Sequence, residues 1–294
     1  MTMSETTLYQ GYDQTELDAQ YNNRAMVPEH VDIHAAFDAD GEAVLAEYNV
    51  RLDIPYGPSP EETLDIYLLE NPTSEAAPIN VFLHGGYWFS RHKNDFRFLA
   101  RGLVPAGAIL VVVNYALVPS VDLDELVRQC RAATAWAYAN APSFGGDAGK
   151  IYVSGHSAGG HLTAMMMTDW PAFGNGLPAD VVKGGAALSG IYDIAPIAMT
   201  FMQETLGFTS DQVSRNSPQF FPPATKAPLI VGVGGDESDE FHRQGEEFSN
   251  AWSEKGSDCS LMVLPGINHF TILSEYADPE SALARAIQKQ MGLG

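Results

Sequence analysis

The chain has 294 residues, and its 16 Lys plus Arg against 37 Asp plus Glu give a formal net charge of −21 at pH 7. That balance argues against a nucleic-acid or anionic-lipid partner, since both need a basic face. A hydrophobic fraction of 45% with only 18% charged residues is that of a packed globular protein, not of a disordered acidic tail.

Two cysteines, Cys130 and Cys259, are too few for a disulfide framework and lack metal-binding spacing, so no structural metal is implied. The first ten residues carry Glu5 and no basic stretch followed by an apolar one, and the longest apolar run, 108–113, is strand-sized. The expectation is a cytoplasmic protein with no membrane association; a homodimer is compatible with the sequence.

In chain order, residues 1–47 show only a short helical pattern around 15–21. Tyr48, Val50, Leu52 and Ile54 then alternate with polar neighbours, Pro55, Gly57, Pro58 and Pro60 mark a turn, and Leu64, Ile66 and Leu68 alternate again, which predicts an antiparallel pair. Continuous apolar runs at 79–83, 108–113, 151–153, 181–188, 229–233 and 261–264 predict strands buried on both faces, as in a parallel sheet. Between them, Leu123, Leu126, Val127, Cys130, Ala133, Trp136 and Ala137 recur at three- and four-residue steps over 122–139, and 158–168, 240–254 and 279–291 also read as helices. The pattern predicts one doubly wound, mostly parallel α/β domain over 1–294. Residues 1–47 are expected to form a covering segment, and 191–226, rich in Met, Phe and Pro, a lid.

The chemistry concentrates at three places. The first, Ile151-Tyr152-Val153-Ser154-Gly155-His156-Ser157-Ala158-Gly159-Gly160, is a strand, a G-x-S-x-G turn and a helix, which makes Ser157 the candidate nucleophile. The second, Val81-Phe82-Leu83-His84-Gly85-Gly86-Tyr87-Trp88, is a strand followed by H-G-G, the place for an oxyanion hole. The amides of Ala158, Gly86 and Tyr87 are the expected donors, Gly85 permits the turn, and His84 braces it. The third is the base. Of eight histidines, His30, His34 and His92 fall on expected surface segments, His156 lies inside the elbow, His161 and His242 belong to helices, and His269 alone follows a late strand.

The orienting acid comes from Gly234-Gly235-Asp236-Glu237-Ser238-Asp239-Glu240, where G-x-x-D/E spacing from Gly234 selects Glu237 over Asp236 and leaves Asp236 as the alternative. The remaining carboxylates are expected at a helix N-terminus or on the surface. Met165, Met166 and Met167 read as core, His161 as a structural hydrogen-bonder, and Trp88 and Tyr192 as substrate-binding residues.

These motifs, with Ser189-Gly190-Ile191-Tyr192-Asp193, Glu237-Ser238-Asp239-Glu240-Phe241-His242-Arg243-Gln244 and Asn268-His269-Phe270, resemble the arylformamidase (kynurenine formamidase) branch of the α/β-hydrolases, neighbours of the hormone-sensitive-lipase-like esterases. The stretch at 18–24 and the turn at 56–60 extend the resemblance from about residue 15 to the end. It implies a cofactor-free serine hydrolase acting on small esters or N-formyl aryl amides, and it favours Glu237 as the acid. The sequence departs from the lipase branch where Tyr87 replaces a third glycine, which is expected to narrow the acyl side toward short groups. Carboxylates near the site are expected to favour neutral or cationic substrates.

Overall fold

The computed structural model describes residues 7–71, 75–168 and 177–294, so the first six residues of the expected covering segment lie outside the described residues. Among the described residues one sheet of eight strands runs β1 (Asn49–Pro55), β2 (Thr63–Leu68), β4 (Ile109–Val113), β3 (Ala77–Leu83), β5 (Gly146–His156), β6 (Val182–Leu188), β7 (Leu229–Gly234), β8 (Cys259–Leu264) in spatial order. The β1–β2 and β2–β4 pairs are antiparallel and the rest are parallel.

β4 shows why the parallel strands read as unbroken apolar runs. Ile109, Val111 and Val113 pack on one face with Leu123, Leu126 and Cys130 of α5 (Leu123–Asn140) and Leu162 of α6 (Ala158–Met166). Leu110 and Val112 pack on the other with Leu103, Leu283 and Ile287. Each buried Leu or Val contributes about 1.5–3 kcal/mol, so a polar residue on either face would be costly. β8 departs from this reading. It is the edge strand, and Leu261 and Val263 are 36% and 45% exposed.

The chain enters the sheet through short helices α1 (Gln14–Tyr21) and α2 (Asn23–Met26) and the long α3 (His30–Glu47). Sequence periodicity does not reveal α3, because its buried stripe is only Phe37, Gly41 and Val44, one member of which has no side chain. Phe37 stacks on Phe98 at 4.1 Å, and a Cβ on Gly41 would meet Arg97 Cβ at 3.3 Å, so the helix is docked by shape more than by an apolar face. Four shorter helices, α4 (Ala100–Leu103), α7 (Gln203–Leu206), α8 (Ser210–Arg215) and α10 (Ile272–Ala277), join α9 (Asp239–Glu254) and α11 (Ala282–Gln290) around the sheet.

One buried ion cluster fastens the antiparallel end. Lys93 Nζ lies 2.7 Å from Asp65 Oδ1 on β2 and 2.6 Å from Asp53 Oδ1 on β1, with Lys93 and Asp65 out of solvent. β3 lies between β4 and β5, where the winding direction reverses, and such a switch point opens a crevice at the strands' C-terminal ends.

Candidate active site

Ser157 stands at the end of β5 and caps α6 with φ 58° and ψ −120°, a conformation L residues rarely adopt. The turn is possible because its neighbours lack side chains: a Cβ on Gly155 would lie 2.2 Å from Gly159 O, and one on Gly159 would lie 1.9 Å from Leu83 O. Ser157 N donates to Leu188 O on β6 at 2.8 Å, and Ser157 O accepts from Gly160 N at 2.8 Å. The strain of about 1–3 kcal/mol is thus held by bonds on both sides of the residue.

His269 follows β8 in a loop fixed by Asn268, whose Oδ1 accepts from the amides of Phe270 and Thr271, both at 2.9 Å. Its Nδ1 is 2.7 Å from Glu237 Oε2. The other oxygen of Glu237 accepts from Gly234 N at 2.7 Å and from Ser189 Oγ at 2.6 Å. The carboxylate against His269 is therefore that of Glu237; Asp236 points its exposed side chain elsewhere and contributes its amide to Ile267 O. Glu240 lies in the first turn of α9, the expected helix N-terminus, but it is buried, accepting from Tyr21 Oη at 2.6 Å and pairing with Arg243 at 2.7 Å.

Sequence reasoning gave no role to Ser189, although its motif was visible, and none to His156. His156 Nε2 is 2.6 Å from His269 O, so Nε2 is the donor and the bond holds the backbone of His269. Burial first, then the neighbouring His269, pushes His156 well below the usual histidine range, which keeps the ring neutral.

Gly86, Tyr87 and Trp88 all have positive φ, at 117°, 49° and 61°. A Cβ on Gly86 would lie 2.1 Å from Ser90 O, and Gly86 O accepts from Ser90 N at 3.0 Å, so the loop doubles back on itself. Among the described residues the amides of Gly86, Tyr87 and Ala158 donate to no backbone acceptor, which leaves three free N–H groups around Ser157. His84 sits beneath them, stacked on Tyr115 at 4.1 Å with Nδ1 donating to Gly85 O at 2.8 Å; burial lowers it to about 4.

Ser157, His269, His156, Gly85, Gly86 and Tyr87 line one cavity of about 240 Å³, small for a ligand site and suited to small substrates. Both irregular segments contribute to the rest of its wall, Tyr21, Asn23, Arg24 and His34 from the N-terminal one and Phe201 and Met202 from the other, beside Arg91 and Phe96 from the stretch after β3. His34, expected on the surface, is thus a wall residue. The N-terminal segment also fixes Tyr87, whose hydroxyl donates to Tyr21 O at 2.6 Å and accepts from Asn23 Nδ2 at 3.0 Å.

Two expected substrate-binding residues are not in this wall. Trp88 is 0% exposed, its Nε1 donating to His161 Nδ1 at 3.2 Å while His161 Nε2 donates to Asn216 O at 2.8 Å. Tyr192 is also 0% exposed, stacked on Phe248 at 3.9 Å with its hydroxyl on Ala187 O at 3.2 Å. In both cases the polar tip of a large ring finds its partner inside the core, which anchors the ring there. The expected acidity does not reach the cavity wall: Glu237 lies behind His269, and among the described residues no Asp or Glu lines the cavity, whereas Arg24 and Arg91 do.

Comparison with known proteins gives the family. The chain is 31% identical over 297 aligned residues to a kynurenine formamidase of Danio rerio, covering 99% of this chain and 98% of that one. It belongs to the kynurenine formamidase family of α/β-hydrolases. A second family member, from Salmo salar, is 32% identical over 93% of each chain. Within the family fold, residues 64–173 match the BD-FAE family model. A crystal structure of a candidate thioesterase from Silicibacter sp. TM1040 superposes with a TM-score of 0.82 at 29% identity, covering 93% of this chain and 99% of that one. The protein is accordingly a serine hydrolase of the esterase and arylformamidase class. Among the described residues no helix is long and apolar enough to cross a membrane.

Proposed function

We infer that this family member hydrolyses N-formyl aryl amides such as N-formylkynurenine, together with short aryl esters, through an acyl-enzyme on Ser157. The observation that carries the reading is the engagement of His269 Nδ1 by Glu237, which leaves Nε2 as the nitrogen available in the cavity that Ser157 shares. His269 takes the proton of Ser157 Oγ as that oxygen attacks the carbonyl carbon. The developing oxyanion is met by the amides of Ala158, Gly86 and Tyr87, and Glu237 holds the tautomer and stabilises the imidazolium. Collapse of the tetrahedral adduct breaks the bond to the aryl amine or alcohol, which leaves with the proton from His269. Water, deprotonated by His269, then attacks the acyl carbon and releases the acid.

Tyr87, fixed by Tyr21 and Asn23, narrows the acyl side in this reading, so formyl and acetyl groups are accepted and longer chains are not. A cytoplasmic location fits the two free thiols, Cys130 and Cys259, and a homodimer is the assembly to check by light scattering. The deciding experiment compares kcat/KM for N-formylkynurenine and p-nitrophenyl acetate in one preparation. The reading expects the formamide to be turned over at least as efficiently as the ester; hydrolysis of the ester alone would rule out the formamidase reading.

A further inference from the structure

Among the described residues that line the cavity, the Arg, Lys, Asp and Glu side chains are Arg24 and Arg91 alone, so no carboxylate shares that wall. In a chain with 16 cationic and 37 acidic residues, two guanidiniums at one small cavity run against the composition. Neither is consumed by a strong ion pair: Arg24 has none among the described residues, and Arg91 reaches only Asp95 at 3.7 Å, with both side chains partly in water. The two arginines also continue into the adjoining outer groove with His30, His34 and Asp38, and Asp38 lies within ion-pair distance of neither.

Two further features accompany the arginines. His34, which separates the cavity from that groove, is lowered to about 4 by burial and then by the charges of Arg91, His30 and Arg24. It is therefore neutral at physiological pH and adds no charge of its own to the wall. Arg91 itself has φ 77°, the left-handed region that would suit glycine. A backbone held there for a large cation, directly after the Gly86–Ser90 turn, is the kind of strain that clusters at ligand clamps.

We propose that Arg24 and Arg91 form a carboxylate-binding rim, so that the enzyme prefers aryl formamides and esters whose leaving group carries an anionic group on a short chain. This rests on the acyl-transfer reading above: with the acyl side closed by Tyr87, the leaving group is the part of the substrate that extends toward the rim. Guanidinium forks suit this task because they bind a planar carboxylate through two parallel N–H bonds. The rim reverses the preference that the acidic composition suggests.

The test uses two matched pairs, N-formylkynurenine with its carboxamide and 3-(4-acetoxyphenyl)propanoate with its carboxamide. The readout is the acid-to-amide ratio of kcat/KM, which normalises for the amount of folded enzyme. In about 0.01 M salt the wild type should favour the acids by about tenfold or more, and the ratio should shrink at about 0.5 M salt through screening. In the Arg24→Gln/Arg91→Gln double variant it should fall toward one, and Arg→Lys variants should keep part of it. A wild-type ratio near one at low salt, or a ratio unmoved by the double variant, overturns the rim. An acid preference within the ester pair, with neither formamide hydrolysed, would support the rim while removing the formamidase reading. Equal turnover of both formamides would do the reverse.

Discussion

Ser157 and Tyr21 border the same cavity but owe their positions to different kinds of sequence. Ser157 is placed by neighbours in the chain: the β5 run before it, the glycines beside it, the helix after it. Tyr21 is placed from afar, with its hydroxyl on Glu240 and its ring edge-on to Phe241 at 5.8 Å, both some 220 positions away. The proposed reacting groups Ser157, Glu237 and His269 and the loop of Gly86 and Tyr87 all lie at the C-terminal ends of sheet strands. The wall formed by Tyr21, Asn23, Arg24 and His34 is carried by helices that pack on those ends. In the proposed mechanism the reaction chemistry therefore sits on the sheet, and selectivity sits on segments that can vary without disturbing it.

That division is sharpest in the largest expected effects. His269→Ala should lower kcat on the order of 10⁶-fold. Glu237→Gln should cost on the order of 10⁴, because an amide would favour the wrong tautomer of His269. Asp236→Asn, one position away, should change kcat/KM less than about twofold, since its side chain is exposed and apart from the base. A larger loss for Asp236→Asn than for Glu237→Gln would break the assignment.

The next effect concerns the sheet alone. Lys93→Met leaves Asp65 buried beside no cation and should destabilise the fold by about 3–5 kcal/mol, read as a lower urea midpoint. Replacing Asp65 by Asn in the same chain should recover part of that loss. If the double variant is no more stable than Lys93→Met, the buried charge is not the cause.

Acid should loosen the fold through other buried groups. His84 and His161 are fully buried and lowered to about 4, so each holds a proton more weakly in the folded than in the unfolded chain. The stability they contribute is complete above about pH 6.5 and is lost as pH falls toward 4, by roughly 3 kcal/mol for each histidine. His156 acts in the same direction. Urea midpoints should fall between pH 7 and pH 5, and His84→Gln or His161→Gln should flatten the fall; a midpoint that rises on acidification would contradict the neutral, buried rings. A smaller change belongs to the wall. Tyr87→Phe removes the hydrogen bonds to Tyr21 and Asn23, worth about 1 kcal/mol each, and should raise KM more than it lowers kcat.

The same comparison explains what could be read from the sequence. The alternating and continuous apolar runs placed all eight strands because sheet burial leaves a period of two or an unbroken stretch. The serine turn, the late histidine and the H-G-G loop stood out as candidates because each proposed role needs particular residues at fixed short spacing. Trp88 and Tyr192 were misplaced because an aromatic near a site motif looks the same whether it faces the cavity or the core; only their partners His161 and Ala187 distinguish the two. Arg24, Arg91 and His156 were not recognised because their meaning lies in contacts between distant segments. The net charge misled for a related reason: it sums the surface, while the cavity wall is set by the few residues that fold against it.

The account turns on a covalent intermediate at Ser157, and active-site labelling tests it most directly. A fluorophosphonate probe should react stoichiometrically with the wild-type enzyme, abolish hydrolysis in proportion to labelling, and map by peptide mass to Ser157. Ser157→Ala should neither label nor turn over formamide or ester above background. Labelling at another residue, or an alanine variant that keeps wild-type turnover, would contradict the mechanism.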